Sequence, residues 1–493
     1  MSAVLLLGVL LAGGFLRFYH LGAQSFWIDE AFSTAHAQAI LTHGYPLLDT
    51  GEVSWSYFPA HYLMALGLLL AGDLQAGARL FSALAGTLAC LAFYRLNRQL
   101  AGSKIQALAA TLLLTFSTYE IAWSRQARGY LLLQLCGLVA IGCYLAFLRK
   151  PRAGSLACAL VAAALCPLLH PAGYVFPLLL LFLTLPELVR LRPWFQPLPR
   201  RVALGASVVL LAVGFAVVAH VTNADPRSTA QQLIAPPTGA AYGVFYLRFL
   251  HSILGATLWW TLWGALAGAW LYPRRVIPIV AAITLYFYLI AFRNPLFHYR
   301  YLLPILPFLF CLAVLGVHAP AAALWRRRTR LGHGLACTLG AAFLATASTM
   351  DWNVRPYDKY YLGATEPQPE WCAAYARIKI DLAGRNAGAE AVTTISAFPV
   401  FHDLYLGRQG QKYFLPVSLT GWAHDVPAHA SYSRAQTVHS APELAALKGY
   451  IVLDDMGLTM LCDGHMQNYL RDRKPDFVIP GFYKIYIWKQ GLG

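Results

Sequence analysis

Of the 493 residues, 58% are hydrophobic and only 12% are charged, against roughly 25% charged in an ordinary soluble chain. Mean hydropathy is positive, and apolar runs recur from the first residues to about position 350. Together these exclude a soluble single-domain enzyme, a disordered chain and a disulfide-stapled secreted module. The net charge of +16 lies wholly before Asp351: the remainder carries 14 basic and 14 acidic residues, leaving 24 basic and 8 acidic in the first 350. That excess falls between apolar segments, where it reports topology rather than nucleic-acid binding.

A spanning helix takes about 20 mainly apolar residues. Eleven such segments are predicted, centred on 2–18, 78–96, 105–121, 130–148, 154–169, 172–189, 202–221, 248–271, 276–292, 300–318 and 331–349. The first has a signal peptide as its alternative reading, with Ala35-His36-Ala37 imitating a cleavage site. It lacks a basic n-region, and the site lies about twenty residues beyond the apolar run, so a retained span is expected. Pro59–Gly72 is apolar but short, and is read as lying along the outer membrane surface.

Basic residues cluster in every second connection: Arg95/Arg98/Lys104, Arg149/Lys150/Arg152, Arg190/Arg192/Arg200/Arg201, Arg274/Arg275 and Arg326/Arg327/Arg328/Arg330. These hold 16 of the 24 basic residues and are assigned to the cytoplasm. The N-terminus is then inside, and the neutral tail outside. Within that tail, Trp371–Arg385 has helical periodicity, Ala391–Ile395 and Tyr450–Leu453 read as short buried strands, and Phe482–Trp488 alternates like a terminal strand. The expected fold is a polytopic α-helical membrane protein of about 11 transmembrane helices (1–350) with a C-terminal extracytoplasmic α/β domain (351–493).

Seven of nine cysteines lie in or beside apolar helices, where a small buried hydrophobe is the simplest reading. Cys372 and Cys462 fall in the outer domain, and an oxidising compartment permits them to pair. No Asn-x-Ser/Thr sequon occurs, which favours a bacterial chain and its inner membrane.

Five of the eight acidic residues (Asp29, Glu30, Asp49, Glu52, Asp73) gather in the first outer loop, 19–77, too long for a mere connector. Adjacent carboxylates at Asp29-Glu30 beside an apolar surface are costly unless paired with cations or used in chemistry. One suits a general base acting on a hydroxyl, the other its support. The plainer reading makes Asp29 the N-cap of a surface helix.

Outer-side cations are the complementary set: Arg125 and Arg128 in Trp123-Ser124-Arg125-Gln126-Ala127-Arg128-Gly129-Tyr130, and His298, Arg300 and Tyr301 in Phe297-His298-Tyr299-Arg300-Tyr301. Arginine's fork suits phosphate. Snorkelling to headgroups is the plainer account of Arg79 and Arg293. His170 marks another outer turn and His61 begins the interfacial helix; single histidines there are commonly hydrogen-bonded bystanders. No spacing resembles a zinc site, a P-loop or a dinucleotide fingerprint. Asp454-Asp455 follows a predicted strand, as a ligand site or, more simply, a solvated turn.

Leu16-Arg17-Phe18-Tyr19-His20-Leu21-Gly22, leading into Ser25-Phe26-Trp27-Ile28-Asp29-Glu30-Ala31-Phe32-Ser33, resembles the opening of GT-C glycosyltransferases, near bacterial relatives of protein O-mannosyltransferases and of the lipid A aminoarabinose transferase. Ala78-Arg79-Leu80-Phe81-Ser82, Ala127-Arg128-Gly129-Tyr130 and Arg300-Tyr301-Leu302-Leu303-Pro304 continue the resemblance to about residue 350. It implies inverting transfer of a sugar from a polyprenyl phosphate to a lipid, glycan or protein hydroxyl at the outer face. Asp29 would be the general base, Glu30 its support; Arg300 and Tyr301 would hold the departing phosphate, assisted by Arg128. Many relatives carry Pro-Pro or Lys-Pro where this chain has Tyr57-Phe58-Pro59-Ala60-His61-Tyr62, which offers His61 or Tyr62 as a replacement phosphate contact. Only Glu120 stands near Arg128 as a second carboxylate, so metal dependence is left open and no cofactor is assigned. The rival readings are a lipid-linked oligosaccharide transferase, a lipid-linked-sugar flippase, which would want mid-membrane charge and repeated halves, and a membrane sensor.

Overall fold

The structure is a computed structural model that describes residues 2–101, 103–190, 241–292, 299–326, 330–350, 352, 369–385, 392–417, 433–481 and 483–492. The expected span at 202–221, and Arg293 and His298, lie outside the described residues.

Fourteen helices precede residue 350 among the described residues: α1 (Ser2–Phe18), α2 (Ile28–His43), α3 (Phe58–Ala71), α4 (Leu74–Ala101), α5 (Lys104–Phe116), α6 (Thr118–Ser124), α7 (Tyr130–Arg149), α8 (Ala153–Leu169), α9 (Val175–Arg190), α10 (Ala241–Leu254), α11 (Thr257–Leu271), α12 (Pro273–Phe292), α13 (Leu306–Arg326) and α14 (Arg330–Ala347). Three helical stretches, Leu74–Leu100, Tyr130–Arg149 and Tyr299–Trp325, are long and apolar enough to cross a membrane, and α5 with α6 makes a fourth if that bent pair is one span. The remaining apolar helices run to 10–17 residues, so the expected eleven is not reached by this measure among the described residues.

Two expected spans are broken, each for a visible reason. The segment at 105–121 bends by 60° between α5 and α6. A bend frees backbone carbonyls that lipid cannot satisfy, and here Arg17 of α1 donates Nη1 to the Thr115 carbonyl at 3.1 Å. The segment at 248–271 divides at Gly255, whose φ of +52° sits against the Thr349 backbone and leaves no room for a Cβ. Beyond that break α11 packs on α13 through Gly264 and Gly316, where a Cβ on Gly316 would lie 3.0 Å from the Gly264 nitrogen; small residues are what allow helices to come so close in an apolar medium.

The C-terminal region is α/β, with α15 (Trp371–Gly384), β1 (Thr393–Ser396), α16 (Val400–Tyr405), β2 (Gln411–Phe414), β3 (Gln436–Thr437), α17 (Ala441–Ala446), β4 (Gly449–Asp454), α18 (Asp455–Thr459), α19 (Gly464–Arg471), β5 (Phe477–Ile479) and β6 (Ile485–Gln490). The strands form one sheet in the order β3-β2-β1-β4-β6-β5. β1 lies parallel to β2 and β4, whereas β6 runs antiparallel to β4 and β5. All six residues of β4 are buried, as expected of a central strand covered on both faces. Ile395, Leu415, Ile451, Leu453, Leu470 and Trp488 build the core around it.

The chain falls into two compact units. One comprises Met1–Tyr19, Trp55–Ala60 and Phe81–Ala364; the other comprises His20–Ser54, His61–Leu80 and Thr365–Gly493. The unit that holds the sheet therefore also takes in most of the acidic loop.

Candidate functional site

In the sheet-containing unit the acidic pair opens α2. The helix is capped by Trp27 rather than by Asp29, so both carboxylates stand in the first turn, where the positive end of the helix dipole favours them. Glu30 is fully committed: Arg79 donates Nε to Oε1 and Nη2 to Oε2, each at 2.8 Å. The other guanidinium protons go to the carbonyls of Leu21 (3.1 Å), Gln24 (2.8 Å) and Ser25 (3.2 Å). All five donors of the arginine fork thus have an acceptor, the ring of Phe26 lies 5.2 Å below it, and both side chains are 1% exposed. Arg79 does not snorkel; it is the hub that folds residues 21–30 and fixes the backbone from which half-buried Asp29 projects.

His61 and Tyr62 belong to the same unit and brace α2. His61 is buried and stacks on His36 with ring centroids 4.7 Å apart, and His36 donates Nδ1–H to the Phe32 carbonyl. The Tyr62 hydroxyl donates to the carbonyl of Gly44, the C-cap of α2, at 2.7 Å. Two more loop carboxylates serve structure as well. Asp73 accepts the Ala76 N–H at the start of α4. Asp49 accepts Lys412 Nζ at 2.8 Å, and Lys412 reaches Asp403 at the same distance. Burial raises the Asp403 carboxyl to about 6, despite the opposing pull of Lys412. For Asp49 burial works upward, but Lys412 and the Arg434 N–H outweigh it and hold the carboxyl below its usual range.

In the other unit the arginines gather among aromatic rings. Every residue of α6 is buried, and the turn after it carries Arg125 and Arg128. Arg125 donates Nη1 to the carbonyls of Leu16, Arg17 and Tyr19, closing the C-terminal end of α1. Arg128 is half-buried and lies over Tyr57 at 5.8 Å and Tyr130 at 6.0 Å. Tyr57 is held at φ +58°, a strained conformation for an aromatic residue of the kind that clusters at functional sites. Its ring stacks on His170 at 5.4 Å, and His170 in turn meets Tyr301 at 5.8 Å. Arg300 lies over Tyr301 at 5.7 Å. The backbone around Arg300 is gripped on both sides: Tyr119 donates its hydroxyl to the Tyr299 carbonyl and Tyr286 donates to the Tyr301 carbonyl, both at 2.7 Å.

His170, in the turn between α8 and α9, is neutral. Burial and then the charges of Arg128 and Arg300 hold it well below the ordinary histidine value. Its Nδ1 accepts the Ala172 N–H at 3.0 Å, which assigns the proton to Nε2. That proton is donated to the Tyr130 hydroxyl, 3.1 Å away, so Tyr130 keeps its own proton for another acceptor.

The structure thus brings Arg128, Arg300, Tyr301 and His170 together and adds Tyr57 and Tyr130, which sequence reading did not assign. The quoted Tyr57-Phe58-Pro59 stretch carried a signal in its departure from the family pattern. Glu120 is buried in α6: Gln134 donates to both its oxygens at 3.2 and 3.1 Å. Arg17 donates to Ser124, which donates to the Glu120 carbonyl. Asp454 caps α18 by accepting the Gly457 N–H, and Asp455 accepts from Lys484 and Tyr486, so that pair organises the strand end. Cys372 and Cys462 are both exposed free thiols. Among the described residues no group of three or more His, Cys, Asp or Glu is arranged to hold a metal ion.

Residues 58–218 match the family model described as dolichyl-phosphate-mannose-protein mannosyltransferase. An uncharacterised protein of Aquifex aeolicus is 30% identical over 167 residues, 33% of this chain and 34% of the relative, so the match spans about a third of that protein's length. Among solved structures, ArnT from Cupriavidus metallidurans bound to undecaprenyl phosphate superposes with a TM-score of 0.59 at 14% identity, covering 98% of this chain and 97% of that one. The Archaeoglobus fulgidus oligosaccharyltransferase gives 0.55 at 14% identity, over 99% of this chain and 73% of that one. Over residues 58–218 the chain thus resembles the dolichyl-phosphate-mannose-protein mannosyltransferases in sequence, and over nearly its full length it shares the fold of ArnT and of the archaeal oligosaccharyltransferase.

Proposed function

We propose that the chain is an inverting glycosyltransferase that moves a sugar from a polyprenyl phosphate, undecaprenyl phosphate being the natural candidate, to an acceptor hydroxyl at the outer face of a bacterial inner membrane. The observation that carries this reading is the gathering of Arg128 and Arg300 about His170 among tyrosine rings, in a fold shared with a protein solved bound to undecaprenyl phosphate. In the proposed step the acceptor oxygen attacks the anomeric carbon, its proton passes to Asp29, and the carbon–oxygen bond to phosphate breaks. Arg128, Arg300 and Tyr301 stabilise the departing phosphate by charge-assisted hydrogen bonds. Glu30 acts through Arg79 in holding Asp29, and His61, Tyr62 and Arg125 act by bracing the helices they touch. His298 is retained as a second donor contact beside Arg300.

The accompanying topology is eleven spans over 1–350, a cytoplasmic N-terminus, the loop 19–77 outside, and 351–493 as an extracytoplasmic domain. A tag at residue 493 is expected to react only from the outer side; labelling from the cytoplasm overturns the span count. For the reaction, purified protein is offered a panel of polyprenyl-phosphate sugars with native membrane extract as acceptor. One donor is expected to be consumed, and Asp29→Asn to lose about 10²–10⁴-fold in rate with the protein still folded and binding donor. Full turnover by Asp29→Asn removes Asp29 from the chemistry. Consumption of a lipid-linked oligosaccharide alone moves the assignment to an oligosaccharide transferase, and consumption of no donor moves it to transport.

A further inference from the structure

A pair of thiols outside this site has chemistry of its own. Helices α7 and α8 form an antiparallel hairpin whose open end carries Tyr130 and His170, joined by their hydrogen bond. Toward the closed end, Cys143 of α7 and Cys158 of α8 face each other in the same register, with sulfurs 3.4 Å apart. Cys158 is exposed and Cys143 partly so. A disulfide needs sulfurs about 2.05 Å apart, so closure takes a movement of about 1.4 Å, within reach of a side-chain rotation.

We propose that Cys143 and Cys158 are a redox-modification site that closes to an intramolecular disulfide. Both thiols sit on apolar helices, so the oxidant they meet is a lipid-soluble two-electron acceptor of the quinone class. In the reaction two S–H bonds break and one S–S bond forms; two electrons and two protons pass to the quinone, which departs as the quinol. The bond staples the hairpin at the end remote from Tyr130 and His170, so it restrains the two helices without touching the aromatic cluster. Nothing in this step depends on the transferase reading.

Full-length protein in membranes is treated with a substituted quinone or with diamide, free thiols are alkylated, and digested peptides are mapped by mass spectrometry. The expected result is a Cys143–Cys158 linked peptide from the monomer and a fall in titratable thiols from nine to seven. Cys143→Ser and Cys158→Ser, each a small change that keeps the fold, are each expected to hold at eight thiols with and without oxidant. Recovery of both residues as alkylated peptides after oxidation overturns the proposal, as does linkage of either to a different cysteine. Transfer activity is not the readout, so failure here and failure of the glycosyltransferase assignment are separately visible.

Discussion

Arg79 and Lys412 in one unit, and Arg128 and Arg300 in the other, show two ways of holding a cation. In the sheet-containing unit, Arg79 spends all five of its protons on one carboxylate and three carbonyls, and Lys412 sits between two carboxylates. In the other unit, Arg128 and Arg300 rest on the faces of Tyr57, Tyr130 and Tyr301, contacts that supply attraction of about 0.5–2 kcal/mol each. A cation enclosed by carboxylate and carbonyl oxygens is a structural element. A cation laid against rings is held by their quadrupole, a contact that carries no charge of its own. The same residue type is thus read differently by what surrounds it, and neither spacing nor net charge distinguishes the two.

The comparison breaks first at Arg79. Removing one partner of a buried ion pair leaves the other uncompensated, at a cost of about 3–5 kcal/mol. Arg79→Ala is therefore expected to lower the melting temperature sharply and to lose activity only through unfolding; a variant that melts normally removes the structural role. Next is the buried carboxyl of Asp454, which burial raises from 3.8 to about 6. Because the folded value lies above the unfolded one, the neutral form is favoured by folding. Its stability contribution is complete below about pH 4 and is lost as pH rises through 6, by at most about 3 kcal/mol. Asp454→Asn keeps the cap acceptor and is expected to flatten that part of the melting profile between about pH 4 and 6. The rest of the step belongs to Asp403, also held at about 6; an unchanged profile rejects the assignment.

The smallest expected effect lies in the aromatic cluster. Arg300→Ala should leave the melting temperature nearly unchanged and weaken donor-lipid binding by about 1.5–3 kcal/mol, the range for a hydrogen bond to a charged group. Lost stability with unchanged donor affinity would put Arg300 in the same class as Arg79 and end the contrast.

Much of the fold was legible from residues alone, and what escaped did so for physical reasons. β4 and β6 were visible as apolar and alternating runs, whereas β2 and β3 are short and partly polar and β5 is an apolar run of only 3 residues, all below what periodicity can resolve. α15 matched its periodic segment to within a residue. The breaks at Ser117 and Gly255 were not visible, because each depends on a partner far along the chain, Arg17 in one case and Thr349 in the other. In the candidate site, outer-side position singled out Arg128, Arg300 and His170. The same argument grouped Arg125 with them, although it closes α1, and read Arg79 as a headgroup contact. The Glu30–Arg79 pair spans 49 residues, and nothing local in either stretch encodes it. Tyr57 is a plain aromatic residue in the sequence; only its backbone conformation makes it unusual.

The grip of Tyr119 and Tyr286 on the carbonyls at 299 and 301 bears on how such a protein diversifies. A carbonyl offers the same oxygen whatever side chain its residue carries. The segment's address is thus written in main-chain atoms and its occupants in side chains, so selection can exchange the residue at 300 for another and find it delivered to the same place. The side chain presented there can change without the scaffold being rebuilt.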